Sequence, residues 1–184
     1  MVKIENLVKR YGTNYALNDI SFEIGEGEIL IKIVSDSVCM SSHKAAMQGG
    51  AHKRVPDNVA ENPIIIGHEF CGEIVQVGAK WQGEFKAGDR VTVDPNWGCG
   101  KCEFCKRGQR SYCQNSRGVV KGMAEYINAP VENVYALPDS LSLRDAALAE
   151  PVSCCLRGAD LLGVRHGERV CLVGLGAIGA IMIQ

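Results

Sequence analysis

The stretch Gly98-Cys99-Gly100-Lys101-Cys102-Glu103-Phe104-Cys105, closed by Cys113, decides how this chain is read. Its four cysteines are spaced C-x2-C-x2-C-x7-C inside residues 98–118, which otherwise hold glycine and basic residues with little apolar content. Such a segment builds no core of its own and needs a staple. Zinc suits it: a d10 ion takes four thiolates tetrahedrally, and closely spaced cysteines let a short loop close round it at low entropic cost. An iron–sulfur cluster is the other metal reading, and Lys101, Lys106, Arg107 and Arg110 suit a negatively charged tetrathiolate equally well. Four unrelated thiols are the bland alternative. A four-thiolate site has no open position, so it is expected to stabilise and not to catalyse.

Working outward, 184 residues suffice for one good core, or for one domain and the start of another. Lys+Arg of 20 against Asp+Glu of 21, with no block of one sign, gives nothing to steer the chain toward nucleic acid or an anionic membrane. The longest apolar run, residues 170–183, is broken by Gly174, Gly176 and Gly179, and falls short of the about 20 residues a spanning helix needs. The amino terminus lacks a basic stretch followed by an apolar core, so a cytoplasmic protein is expected. Nine cysteines would suggest a disulfide scaffold in a secreted protein; the odd count and the tight clustering argue for metal.

Hydrophobic alternation between turn residues predicts strands at 2–5, 15–22, 29–34, 64–66, 70–77, 90–93, 124–128 and 134–137. A short helix is expected after Cys39. Ser142, with Asp145 three residues on, starts another in capping-box fashion. The pattern then changes: 151–162 reads as a helix, 169–173 as a fully buried strand, and Ala177 onward as a helix. That is the opening of an α/β unit.

Three more residues have the chemistry for a second metal: Cys39, and His68 with Glu69 in Gly67-His68-Glu69-Phe70. One sulfur, one nitrogen and one carboxylate, leaving a position for water or substrate, is the composition of an open catalytic zinc site. Spacing alone does not establish it.

Gly67-His68-Glu69, Gly72-Glu73-Ile74-Val75, Gly88-Asp89-Arg90-Val91, the Cys99–Cys105 run, Ala124-Glu125-Tyr126 and Ala149-Glu150-Pro151 occur in one order. Together they resemble the zinc-containing medium-chain alcohol and polyol dehydrogenases, with the sorbitol-like branch nearest, over about residues 28–184. The resemblance implies two Zn2+ per chain, one catalytic and one structural. It implies that Cys39 and His68 bind the catalytic zinc, that Glu69 is a ligand, and that Glu150 lies close enough to coordinate or exchange with water. Either carboxylate has the alternative of orienting a ligand from behind. Ser41 matches the hydroxyl residue that passes the substrate proton onward; its bland reading is a helix cap. By the same resemblance the complete enzyme uses NAD or NADP, acts on an alcohol or polyol, and is a homo-oligomer.

Gly174-Leu175-Gly176-Ala177-Ile178-Gly179 has the G-x-G-x-x-G spacing of a dinucleotide turn, its glycines letting backbone approach a pyrophosphate. The acidic residue expected about 20 positions further, which separates NAD from NADP, lies beyond Gln184.

Departures stand beside these matches. Residues 4–12 and 16–22 resemble the opening strands of an ABC-transporter ATPase, yet no G-x-x-x-x-G-K-[ST] loop follows Glu28. Met40 and Ser42 replace the Gly and Asp usual beside the hydroxyl residue, and His43 sits one position off the usual relay histidine. The His52-Lys53-Arg54 loop resembles the branch acting on phosphorylated ketoses, where basic residues bind a phosphate; a solvated turn is the alternative. The expected architecture is mainly β: a GroES-like catalytic β-barrel domain with a zinc lobe over 1–150, followed over 151–184 by the start of an α/β Rossmann domain. Little turnover is expected from this chain alone. The rivals are a zinc-stabilised module without chemistry and an ABC ATPase remnant.

Overall fold

The computed structural model describes residues 2–11, 14–79, 81, 83, 85–119 and 121–184, with side chains from Glu23 onward. Strands β1 (Val2–Tyr11) and β2 (Asn14–Ile24) pair antiparallel with an interrupted register and form a sheet of their own. The ABC-like side chains in this stretch lie outside the described residues. A turn at Gly25-Glu26-Gly27 leads into β3 (Glu28–Asp36), with the Gly25 N–H donating to Glu28 Oε2 at 2.9 Å.

Ile29, Leu30 and Ile31 are all buried, and β3 is flanked by a strand on each edge. It joins β4 (Phe70–Val77), β5 (Arg90–Val93), β8 (Tyr126–Pro130) and β9 (Val134–Ala136) in an antiparallel sheet of order β8-β3-β4-β5-β9. The expected barrel is thus an open sheet among the described residues, with β8 and β9 as its edges. Ile29, Ile31, Phe70, Ile74, Val91 and Val93 form the main core on one face. Cys71, Ala146 and Ala147 form a smaller cluster under α3 (Leu143–Ala146), which the Ser142 hydroxyl caps by accepting the Asp145 N–H at 3.1 Å. A Cβ at Gly72 would overlap the Lys32 carbonyl, so β3 and β4 approach closely only because position 72 is glycine.

Helix α1 (Met40–Gln48) follows β3 directly, as expected. The cysteine-rich excursion leaves and re-enters through the short pair β6 (Asn96–Trp97) and β7 (Arg117–Gly118), and carries α2 (Glu103–Lys106). Helix α4 (Ala149–Leu162) begins two residues before the expected start; Pro151 lies in its first turn, where a missing N–H is harmless. Gly163 ends it with φ of 64°. No helix is long and apolar enough to cross a membrane among the described residues.

Two expected strands are corrected. Residues 64–66 form no regular ladder and are tied by Met123 N–H donating to Ile66 O at 2.8 Å. Residues 169–173 are not a strand, and Val170 and Val173 are 63% and 92% exposed. A buried parallel strand takes its hydrogen bonds from neighbouring strands, and no strand pairs with this segment among the described residues, although Leu172 reaches Gly179 of the following helix.

Candidate metal centres

The sequence separates Cys39 from His68 by 29 residues, and the β3–β4 pairing removes that distance. With Asp36 opposite Phe70 in the register, the end of β3 and the residues just before β4 lie side by side. Cys39, His68 and Glu69 each offer one ligand atom, all within 4.8 Å of one another. Soft sulfur, imidazole nitrogen and carboxylate oxygen together fit a catalytic zinc that keeps an open position.

Glu69 is 7% exposed and is clamped from three directions. The Ser37 hydroxyl donates to Glu69 Oε2, the Ser37 N–H donates to the Glu69 carbonyl at 2.9 Å, and the Glu69 N–H donates to Asp36 Oδ1 at 3.1 Å. One carboxylate oxygen is thereby engaged and the group has a fixed direction. Buried Ser42 lies 3.4 Å from His68 Nδ1, a contact that favours Nε2 as the ring's free ligand atom. Burial raises the Asp36 carboxyl above its ordinary range, against the N–H of Glu69 and the nearby His68, which lower it. Its Oδ2 is buried without a hydrogen-bond partner. Asp36, Ser37 and Ser42 went unassigned in sequence because their partners arrive only through strand register; the one visible signal was Ser42 in place of the usual acid.

Ser41 Oγ stands 3.3 Å from Cys39 Sγ and lines a cavity of about 520 Å³ with His68 and Glu150. Cys39 is the N-cap of α1, and no side-chain hydrogen bond caps that helix, so Ser41 does not serve as its cap. Glu150, in the first turn of α4, shares the cavity but stays outside the tight ligand cluster. Desolvation raises its carboxyl, with His68 lowering it and Glu69 raising it. His43 is exposed on α1 and does not line the cavity.

In the lobe, Cys99, Cys102, Cys105 and Cys113 bring their sulfurs within 4.8 Å of one another, a set that fits structural zinc. Cys102 and Cys113 sulfurs are 3.8 Å apart, and the Cys99 N–H points at Cys113 Sγ at 3.4 Å. The Lys101 and Cys102 N–H groups draw the Cys99 thiol down to about 6. Desolvation pushes Cys105 up to about 12.

Of the three dinucleotide-motif glycines, Gly174 has φ of 101°, Gly176 is the N-cap of α5 (Ala177–Met182), and Gly179 is buried. A Cβ at Gly179 would overlap the Gly174 carbonyl, so the turn is formed although the strand before it is not.

Residues 25–139 match the model of the alcohol dehydrogenase GroES-like domain. Sorbitol dehydrogenase of Bacillus subtilis (strain 168) is 34% identical over 88% of this chain and 46% of its own length. L-threonine 3-dehydrogenase of Pyrococcus abyssi (strain GE5 / Orsay) is 35% identical over 100% of this chain, the first 28 residues included, and 52% of its own. The crystal structure of galactitol-1-phosphate dehydrogenase from Escherichia coli superposes with a TM-score of 0.76 at 30% identity, covering 92% of this chain and 48% of that one. The chain spans about half the length of the curated relatives it matches. Its two donor clusters, its antiparallel sheet and these alignments agree, and the chain belongs to the alcohol dehydrogenase GroES-like domain family, among the zinc-containing medium-chain dehydrogenases of the sorbitol and polyol type.

Proposed function

We propose that this chain forms the zinc-binding catalytic part of an oxidoreductase that transfers hydride between NAD(P) and an alcohol, polyol or ketose. The observation that carries this reading is the convergence of Cys39, His68 and Glu69 within 4.8 Å beside a cavity of about 520 Å³. When bound there, zinc supplies Lewis-acid polarisation of an alcohol or carbonyl oxygen. Cys39 and His68 hold it, with Glu69 as the third ligand in the direction set by Ser37. Ser41 holds and moves the proton of the substrate hydroxyl at its Oγ. Glu150 lines the same cavity, its carboxyl raised by desolvation, and stands where it can coordinate the ion or exchange with water on the open side of the site. The lobe cysteines serve folding only.

Residues 1–150 make up the catalytic domain in this reading. Residues 151–184 begin a nicotinamide-binding domain whose Gly174-Leu175-Gly176 turn approaches the pyrophosphate. The fuller protein is a homo-oligomer. With 169–173 uncovered, the 184-residue chain alone turns over little or nothing.

Elemental analysis decides between this reading and a zinc-stabilised module without chemistry. The dehydrogenase reading expects two zinc ions per chain, falling to one in Cys39→Ser. A single zinc in the unaltered chain, or unchanged metal content in Cys39→Ser, sinks the open-site assignment.

A further inference from the structure

Glu150 stands on a wall shared by two cavities. The first, of about 520 Å³, carries Ser41 and His68; the second, of about 600 Å³, carries Asp94, Tyr135, Cys154 and Arg157. Glu150 lines both. Its backbone is fixed in the first turn of α4, where the Ser153 hydroxyl donates to the Glu150 carbonyl at 2.7 Å. The carboxylate sits at the end of a side chain with several rotatable bonds, so what holds it decides which cavity it serves.

In this structure it is held from the second cavity. Cys154, one helical turn on, donates from Sγ to Glu150 Oε1 at 3.8 Å. Residues four apart meet on one helix face without rearrangement, and a thiol keeps its hydrogen at neutral pH as a weak donor. The adjacent Cys155 faces elsewhere: it is buried and donates to the Ile178 carbonyl at 3.8 Å, tying α4 to α5. Packing therefore accounts for Cys155. It does not account for Cys154, which is exposed.

The donor cluster gives the Cys154 contact its meaning. Cys39, His68 and Glu69 bring three ligand atoms within 4.8 Å of one another, and Glu150 is not among them. Its carboxylate is nevertheless near enough to be acted on by His68 and, in the opposite sense, by Glu69. Held by Cys154, it leaves the remaining position of a four-coordinate site to water or substrate.

We propose that Cys154 is a positioning residue: by engaging one oxygen of Glu150 it holds this carboxylate back from the open metal site and keeps the last position of that site free. The proposal rests on the open-site reading above; the contact between Cys154 and Glu150 does not.

The test is chelator competition for zinc in the unaltered 184-residue chain, Cys154→Ala, Cys154→Ser, Glu150→Gln and the Cys154→Ala/Glu150→Gln double variant, with visible spectra taken after Co2+ replaces zinc at the open site. Cys154→Ala is expected to tighten the open site about threefold as Glu150 joins the ligands, and to shift the Co2+ absorption bands, with lobe zinc unchanged. Cys154→Ser retains a donor and is expected to match the unaltered chain. In the Glu150→Gln background, Cys154→Ala is expected to change neither affinity nor spectrum, a dependence that a merely structural cysteine would not show. A shift that persists in that background, or weaker open-site zinc in Cys154→Ala, overturns the proposal. Two zinc ions in the unaltered chain, with Cys154→Ala indistinguishable from it, overturn the proposal alone and leave the open site standing. A single zinc in the unaltered chain overturns both.

Discussion

Ser37 reaches Glu69 by side chain and by backbone, so this one residue sets where a metal-directed carboxylate points. Ser37→Ala removes the side-chain bond and leaves the strand intact. It is expected to weaken zinc at the open site about tenfold, with lobe zinc unchanged and Ser37→Thr restoring affinity, as read by chelator competition. Equal weakening of both zinc ions would mean general misfolding instead. Asp36 gives a pH-dependent prediction. Its carboxyl is raised from its ordinary 3.8 chiefly by desolvation, so the folded chain keeps this proton to higher pH than the unfolded chain does. The cost of the buried charge is therefore absent at low pH and appears as pH rises past 3.8 through the raised value. Asp36→Asn keeps an acceptor for the Glu69 N–H and removes that charge. At pH 7 it is expected to stabilise the metal-free chain by on the order of 1 kcal/mol, or about 2–4 °C in Tm, with the gain shrinking as pH is lowered toward about 4. A melting point at pH 7 that is unchanged or lower would contradict this.

Among the elements, the lobe between β6 and β7 would depend most on a bound metal. Its stem is a pair of two-residue strands, and its interior sulfurs take the place of a core. Chelation is expected to remove amide-exchange protection from residues 98–118 while the β3–β4 ladder keeps its own, measured by hydrogen exchange with mass readout. Cys105, pushed up to about 12, must surrender its proton to the metal, so lobe affinity falls as pH falls, most steeply once Cys99 also protonates below about 6. The bounds of β4 and β5 agree with the sequence-based expectation because apolar alternation there ends at Gly78 and Asp94 and is flanked by turn residues. The cysteine spacing and the Ser142 cap were legible for the same reason: each rests on residues close in sequence. Residues 64–66 and 169–173 carry apolar runs as strong as those of true strands, but an apolar run supplies no ladder partner, and Ile64, Ile65, Val170 and Val173 stay exposed. The Ser37–Glu69 clamp depends on which strands lie together. No local pattern encodes that.

Across the whole molecule, apolar side chains gather at the carboxy-terminal end: Leu161, Leu162, Val170, Val173, Leu175 and Ile183 are all exposed. Exposed apolar side chains in such number favour association. The 184-residue chain is expected to self-associate with rising concentration in sedimentation velocity runs, and Leu161→Glu with Leu162→Glu should reduce that association without altering zinc content. A monomer at every concentration would show that these exposed side chains are tolerated in water. The β3–β4 register has a different consequence at this scale. Asp36 closes β3, Ser37 and Cys39 follow, and His68 and Glu69 precede β4, so the open donor set depends on Asp36 facing Phe70. That ladder is already interrupted between Leu30 and Ile31 and between Ile33 and Ser35. A slip of one residue would turn every side chain of β3 to the opposite face and disperse the donors. An ion bound at this site would therefore act as a proofreading step on folding: chains whose two central strands are correctly aligned would retain it, and a misaligned chain would reveal itself as one that holds metal in its lobe alone.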